Sequence, residues 1–184
     1  TAQISFADIT RALVADVAAA GLRDVVLVGH SQAGVHLPAM ALEAPQMFRK
    51  LVFVACSAPD EGLTLAEMTG TRVHPGSHPF SDSTLPLRER YRAMFCNDMP
   101  PDMAKAFLDR LGQDGWPAAC YAQRDWPRGH LADHDCSYVL CEADAILPAA
   151  WQERFAERLH ARRIHHFAAG HQAMNTRPGE LAAL

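Results

Sequence analysis

The sequence predicts an α/β fold: a mostly parallel sheet with helices on both faces, interrupted by a helical cap insertion. Three observations carry that expectation. Residues 25–34 read Val-Val-Leu-Val-Gly-His-Ser-Gln-Ala-Gly, an apolar run that breaks at Gly29 and gives way to small residues and a helical pattern. Further strand-like runs at 51–55, 137–141 and 164–167 alternate with helical periodicity, the rhythm of a parallel sheet. With 184 residues, 49% of them hydrophobic, the chain can build one substantial core, so 1–184 is expected to be a single domain.

Ser5 is a candidate N-cap and Asp8 falls in the first turn after it. Phe6, Ile9, Leu13 and Val17 recur at near-helical spacing and Gly21 suits a C-terminal stop, so the first helix is expected over 6–20. Val25–Val28 has no polar alternation, as in a strand covered on both faces. A helix over 32–44 and a strand at Leu51–Ala55 follow. From Pro59 to Asp135 the rhythm is lost among prolines and aromatics, and 59–135 is expected to be an insertion with helices near 86–97 and 101–112. Its Met68, Met94, Phe95, Met99, Met103, Phe107 and Trp116 are residues that either cover a pocket or simply pack; Met94, Phe95 and Trp116, with His30, are the pocket candidates. Regular alternation returns with a strand at Ser137–Cys141, a helix near 148–160, a strand at Ile164–Phe167 and a last helix from about 177.

Composition narrows the function. The net charge of −4 carries no block of like charges, which argues against nucleic acid or an anionic membrane as the main partner and favours a small molecule. Cys56, Cys96, Cys120, Cys136 and Cys141 are odd in number and without paired spacing, so buried free thiols and a reducing, cytoplasmic setting are expected. No apolar run approaches the roughly 18 residues of a membrane span. Phosphate-binding glycine loops are missing, and no cofactor is expected. His130, His134 and Cys136, with Asp133 and Asp135 between them, have ligand chemistry but fit no structural zinc spacing. Adjacent His165 and His166 would point to opposite faces of a strand, and no metal is expected.

Ser31 lies where a strand turns sharply into a helix. A G-x-S-x-G elbow needs small residues two before and two after the serine so that the backbone can bend and expose the hydroxyl. Here these are Gly29 and Ala33, with Gly34 one step later. The other reading is a βα turn whose Ser31 only caps the helix. A serine is a weak nucleophile unless a base takes its proton and an acid orients that base. Asp144 follows the strand ending at Cys141, and His171 follows the next strand, so both leave carboxyl ends of parallel strands as Ser31 does. Asp144 could instead cap the helix near Pro148, with Glu142 or Asp60 as the acid. His30 is expected to pack or hydrogen-bond behind the turn rather than act as base.

The order Ser31, Asp144, His171 is that of the α/β-hydrolase triad. With Gly29-His30-Ser31, the strand Leu51-Val52-Phe53-Val54 leading to Ala58-Pro59, Phe95-Cys96-Asn97-Asp98, Asp144 with Pro148 and Gln152, and Gly170-His171 with Met174 and Pro178, the chain resembles the α/β hydrolases. More narrowly, it resembles the group of methylesterases, hydroxynitrile lyases and their bacterial esterase relatives. The resemblance implies a serine esterase acting on small, largely apolar esters, with Ser31, Asp144 and His171 catalytic and the Gln32 backbone N–H in the oxyanion hole. A hydroxynitrile lyase of this type carries lysine directly after the histidine, where this chain has Gln172. A non-catalytic receptor for a small ligand is a third reading.

The resemblance also implies that the four strands are the fifth to eighth of the family's usual eight. The sequence is therefore expected to be a fragment of a longer protein, or to take its first strands from another chain or segment. Val25–Val28 would otherwise be an unpaired apolar edge, open to association. The second oxyanion donor would be missing from these residues, at a cost of roughly 10² to 10³ in turnover.

Overall fold

Ser5 starts the first helix by a reciprocal cap: its hydroxyl accepts the Asp8 N–H at 3.1 Å while the Asp8 carboxylate accepts the Ser5 N–H at 2.9 Å. The computed structural model describes residues 4–68, 84–112 and 117–184. In chain order these form α1 (Phe6–Ala19), β1 (Val25–His30), α2 (His36–Glu43), β2 (Phe48–Val54), α3 (Leu65–Met68), α4 (Leu87–Phe95), α5 (Pro101–Arg110), α6 (Ala118–Tyr121), β3 (Asp135–Cys141), α7 (Ala149–Arg158), β4 (Arg163–Phe167), α8 (Ala173–Thr176) and α9 (Pro178–Ala182). The helix expected over 32–44 begins instead as a 3₁₀ turn, Ser31–Val35, ahead of α2. Close packing tightens that turn, since a Cβ at Gly34 would stand 2.4 Å from the Cys56 Cβ.

The strands lie in the order β1-β2-β3-β4 and every neighbouring pair is parallel. Strand alternation then divides the side chains between two faces. Leu27, Leu51, Phe53, Tyr138 and Leu140 join one core with Leu37, Met40, Phe155 and Leu159 of α2, α7 and the residue after α7. Val54, Val139 and Cys141 join a second cluster with Phe167, Ala169 and Ala173, against which Leu181 packs.

The valines of β1 depart from expectation. Val26 and Val28 remain 38% and 60% exposed, so among the described residues β1 is covered on one face, not both. Helices α8 and α9 are too short to reach across the sheet, and a groove of about 570 Å³ runs over Val26, Val28, Val52 and Val54. Among the described residues β1 is also an edge of the sheet, paired only with β2.

The segment between β2 and β3 packs on α1 through a specific contact. Phe6 of α1 meets Trp126 edge-on with centroids 5.6 Å apart, and the Trp126 indole donates to the Leu63 carbonyl at 2.8 Å. Phe6 also stacks on His36 at 4.3 Å, and the His36 Nδ1 lies 3.1 Å from the Thr10 hydroxyl. Burial pushes the His36 pKa down to about 4. All five cysteines are free and buried. No helix among the described residues is long and apolar enough to cross a membrane.

Two outcomes are expected. Because unfolded His36 takes up a proton near pH 6.5 and folded His36 only near 4, its contribution is intact above pH 6.5 and is lost as pH falls from there toward 4. Urea unfolding at a series of pH values should show His36→Gln removing about 1.5 kcal/mol of the loss between pH 6.5 and 5. Gly34→Ala should cost about 1–3 kcal/mol through overpacking on Cys56, and Cys56→Gly in the same chain should recover part of that loss.

Candidate active site

The turn after β1 is built against the end of β2. Ser31 sits at φ +55°, a left-handed conformation that a non-glycine residue adopts only under local constraint. Its carbonyl accepts the Ser57 N–H at 3.1 Å, the Cys56 thiol donates to the Gly29 carbonyl at 3.1 Å, and the Tyr138 hydroxyl donates to the Cys56 carbonyl at 2.7 Å. The tight approach of this elbow falls on Gly34. Ala33, where the motif has glycine, is exposed and has room for its methyl group.

Asp144 occupies the turn after β3. Buried Gln152, reaching back from α7, accepts the Cys141 N–H at 2.9 Å and donates to the carbonyls of Cys141 and Leu147 at 2.9 and 2.6 Å. Those three bonds brace the two ends of the turn. One Asp144 oxygen, Oδ1, accepts the N–H groups of Ile146 and Leu147 at 2.7 and 2.9 Å. The carboxylate therefore does order its own turn, but ahead of α7 rather than at the α7 cap, which is Pro148.

The other oxygen, Oδ2, lies 2.7 Å from His171 Nδ1, and His171 Nε2 lies 2.8 Å from the Ser31 hydroxyl. His171 is fully buried and Asp144 nearly so. A carboxylate only accepts, so Nδ1 donates to Asp144, and neutral Nε2 accepts from the Ser31 O–H. Three residues expected to act together, spread over 140 positions, thus form one connected chain of hydrogen bonds. Such a chain can move the serine proton onto the imidazole as the oxygen attacks an electrophile. Gln32 follows Ser31 in the 3₁₀ turn.

His30 lies behind this chain. Its Nε2 donates to the His171 carbonyl at 2.8 Å and its ring is 4.6 Å from the His171 ring. Burial, reinforced by the neighbouring His171, pushes its pKa down to about 4, so it stays neutral. The Phe95 ring stands 6.0 Å from the His171 ring, centroid to centroid, and Tyr91 and Phe107 pack against Phe95. Met94, named with Phe95 as a pocket candidate, is 2% exposed and packs in the main core. Trp116 lies outside the described residues.

The rival acids are engaged elsewhere: exposed Glu142 pairs with His166 at 3.3 Å, and Asp60 pairs with Arg158. His130 uses its Nε2 on the Pro38 carbonyl at 2.8 Å, Cys136 is in the core, and His165 lines the open groove over the sheet.

Sequence reasoning missed the work of Gln152 and of Asn97-Asp98. The Asn97 amide donates to the Ala143 carbonyl at 2.7 Å, and Asp98 accepts the Gly170 N–H at 2.6 Å. The only local sign of this was a polar pair directly after an amphipathic helix, which surface turns also show.

A comparison with curated protein sequences gives no match. Among solved structures, an extracellular alpha/beta-hydrolase from a Paenibacillus species, described as sharing structural and functional homology with tobacco salicylic acid binding protein 2, has a TM-score of 0.81. It is 19% identical, over 100% of this chain and 79% of that one. Polyneuridine aldehyde esterase has a TM-score of 0.77 at 17% identity, over 97% of this chain and 77% of its own. A pyrethroid hydrolase from Sphingobium faniae JZ-2 has a TM-score of 0.69 at 20% identity, over 98% and 76%. At these identities the likeness is one of fold. A model of the alpha/beta hydrolase family matches residues 1–184, and the chain belongs to that family.

Proposed function

We propose that the protein is a serine esterase that hydrolyses small, largely apolar carboxylic esters through an acyl-enzyme. The observation that carries this reading is the buried chain Ser31–His171–Asp144, with links of 2.8 and 2.7 Å. Membership of a hydrolase family and the fold shared with named esterases support it.

In the first half-reaction the Ser31 oxygen attacks the ester carbonyl carbon while its proton passes to His171 Nε2. The tetrahedral oxyanion is met by the Gln32 backbone N–H. Collapse expels the alcohol, which takes the proton from His171, and leaves the acyl group on Ser31. Water then attacks the acyl-enzyme with His171 again as base, releasing the acid and restoring the serine. Asp144 holds the productive tautomer and stabilises the imidazolium. Phe95 sets an apolar ring against the histidine, with Tyr91 and Phe107 packed on Phe95, surroundings that favour an apolar acyl or alkyl group over a charged one.

A fluorophosphonate should label the wild type with loss of fluoride, and Ser31→Ala should abolish labelling and lower turnover of a short-chain aryl ester by at least about 10³-fold. Near-normal hydrolysis by Ser31→Ala would overturn the mechanism. Asp144→Asn, which permits the wrong histidine tautomer, should lower kcat by about 10⁴-fold with the fold intact by circular dichroism.

A further inference from the structure

The loop bearing His171 is held from outside the chain of three. Asp98 projects from the turn after α4, and its Oδ2 accepts two hydrogen bonds, from the Gly170 N–H at 2.6 Å and from the Thr176 hydroxyl at 3.0 Å. These partners flank His171 on both sides. One residue earlier, Asn97 donates to the carbonyl of Ala143, the residue before Asp144, at 2.7 Å. Ala143 in turn donates its N–H to the Ala169 carbonyl at 3.0 Å. Asn97 and Asp98 therefore join the acid turn and the histidine loop to each other and to the insertion.

Packing at the joint is close. A Cβ on Gly170 would stand 2.5 Å from Asp98 Oδ1 and 2.7 Å from Asn97 Oδ1, so the residue before His171 must be glycine while this pair is in place. Asp98 Oδ1 is buried against that glycine and has no hydrogen-bond partner among the described residues. Burying one carboxylate oxygen without a protein partner costs free energy, which the two hydrogen bonds to the other oxygen offset. Here that oxygen sets the backbone on which His171 stands.

We propose that Asp98 is a positioning residue for His171: through Gly170 and Thr176 it fixes the loop so that the imidazole reaches Ser31 and Asp144 at once, and Asn97 does the same for the acid turn. This assignment rests on the esterase reading. Positioning of a base is worth much to a reaction, since a displacement of about 1 Å costs on the order of 10²-fold in rate. It also makes the segment between β2 and β3 part of the machinery, because its turn holds the histidine loop in place.

The test compares Asp98→Ala, Asp98→Asn and Gly170→Ala with the wild type by steady-state kinetics on an aryl ester and by the low-field proton resonance of the His171 Nδ1–H. Asp98→Ala should lower kcat by about 10- to 100-fold with KM little changed, and should broaden or lose the resonance although Asp144 is intact. Asp98→Asn, which keeps an oxygen for Gly170 and Thr176, should restore both to near wild type. Gly170→Ala, which pushes on the joint from its other side, should reproduce the Asp98→Ala defect, and the two should be strongly non-additive when combined. The proposal is overturned if Asp98→Ala keeps its kcat and its resonance, or if Asp98→Asn is as impaired as Asp98→Ala. If the alanine variant does not fold, Gly170→Ala with wild-type kinetics and resonance overturns it. A wild type that shows the resonance and its loss in Asp98→Ala, yet no Ser31-dependent hydrolysis, would refute the esterase reading and leave the positioning role standing.

Discussion

The parallel register of the four strands is the constraint from which the site follows. Val28, Val52, Ser137 and Arg163 stand in successive register across the sheet, so the carboxyl ends of β1, β3 and β4 come out along one edge. Ser31, Asp144 and His171 are the residues one, three and four positions past those ends. Groups 140 positions apart in the chain can meet at 2.8 Å because backbone ladders fix where each strand stops. A slip of one residue in any ladder would turn the strand's apolar set away from its core and move the loop that follows it as well.

Close packing then converts that edge into a defined geometry. Gly34 lies against Cys56, which lets the chain after Ser31 turn tightly enough to hold the serine in its left-handed conformation. Gln152 closes the acid turn, and Asn97 with Asp98 clamps it to the histidine loop. His30 meets the His171 carbonyl from behind. Gln152 is buried, His30 and Asp98 are partly buried and Asn97 is exposed, and the bonds of all four are directional, so together they restrict the loops more than apolar contact alone would.

Much of this was legible in local sequence. The strand cores at 25–28, 51–55, 137–141 and 164–167, the capped first helix and the acid and histidine loops all carry short-range signals, and the structure has them within a few residues. The covering of β1 was not legible. Val-Val-Leu-Val reads the same whether one face or both are buried, because the periodicity of a strand reports its side chains and not its neighbours. Helices α8 and α9 are short, and nothing in their sequence states how far across the sheet they reach.

The sequence by itself determined the alternation of strands and helices, the elbow that presents Ser31, and the order of serine, acid and histidine, since each is encoded within a few adjacent residues. Tertiary structure alone decided which of Asp144, Glu142 and Asp60 meets the histidine, that Gly34 rather than position 33 takes the close contact, that Met94 packs in the core, and that Asn97 and Asp98 hold the loops. Those outcomes depend on contacts between segments tens of residues apart. A side chain's chemistry can be read locally, but its partner is set by the fold that brings another loop within 3 Å.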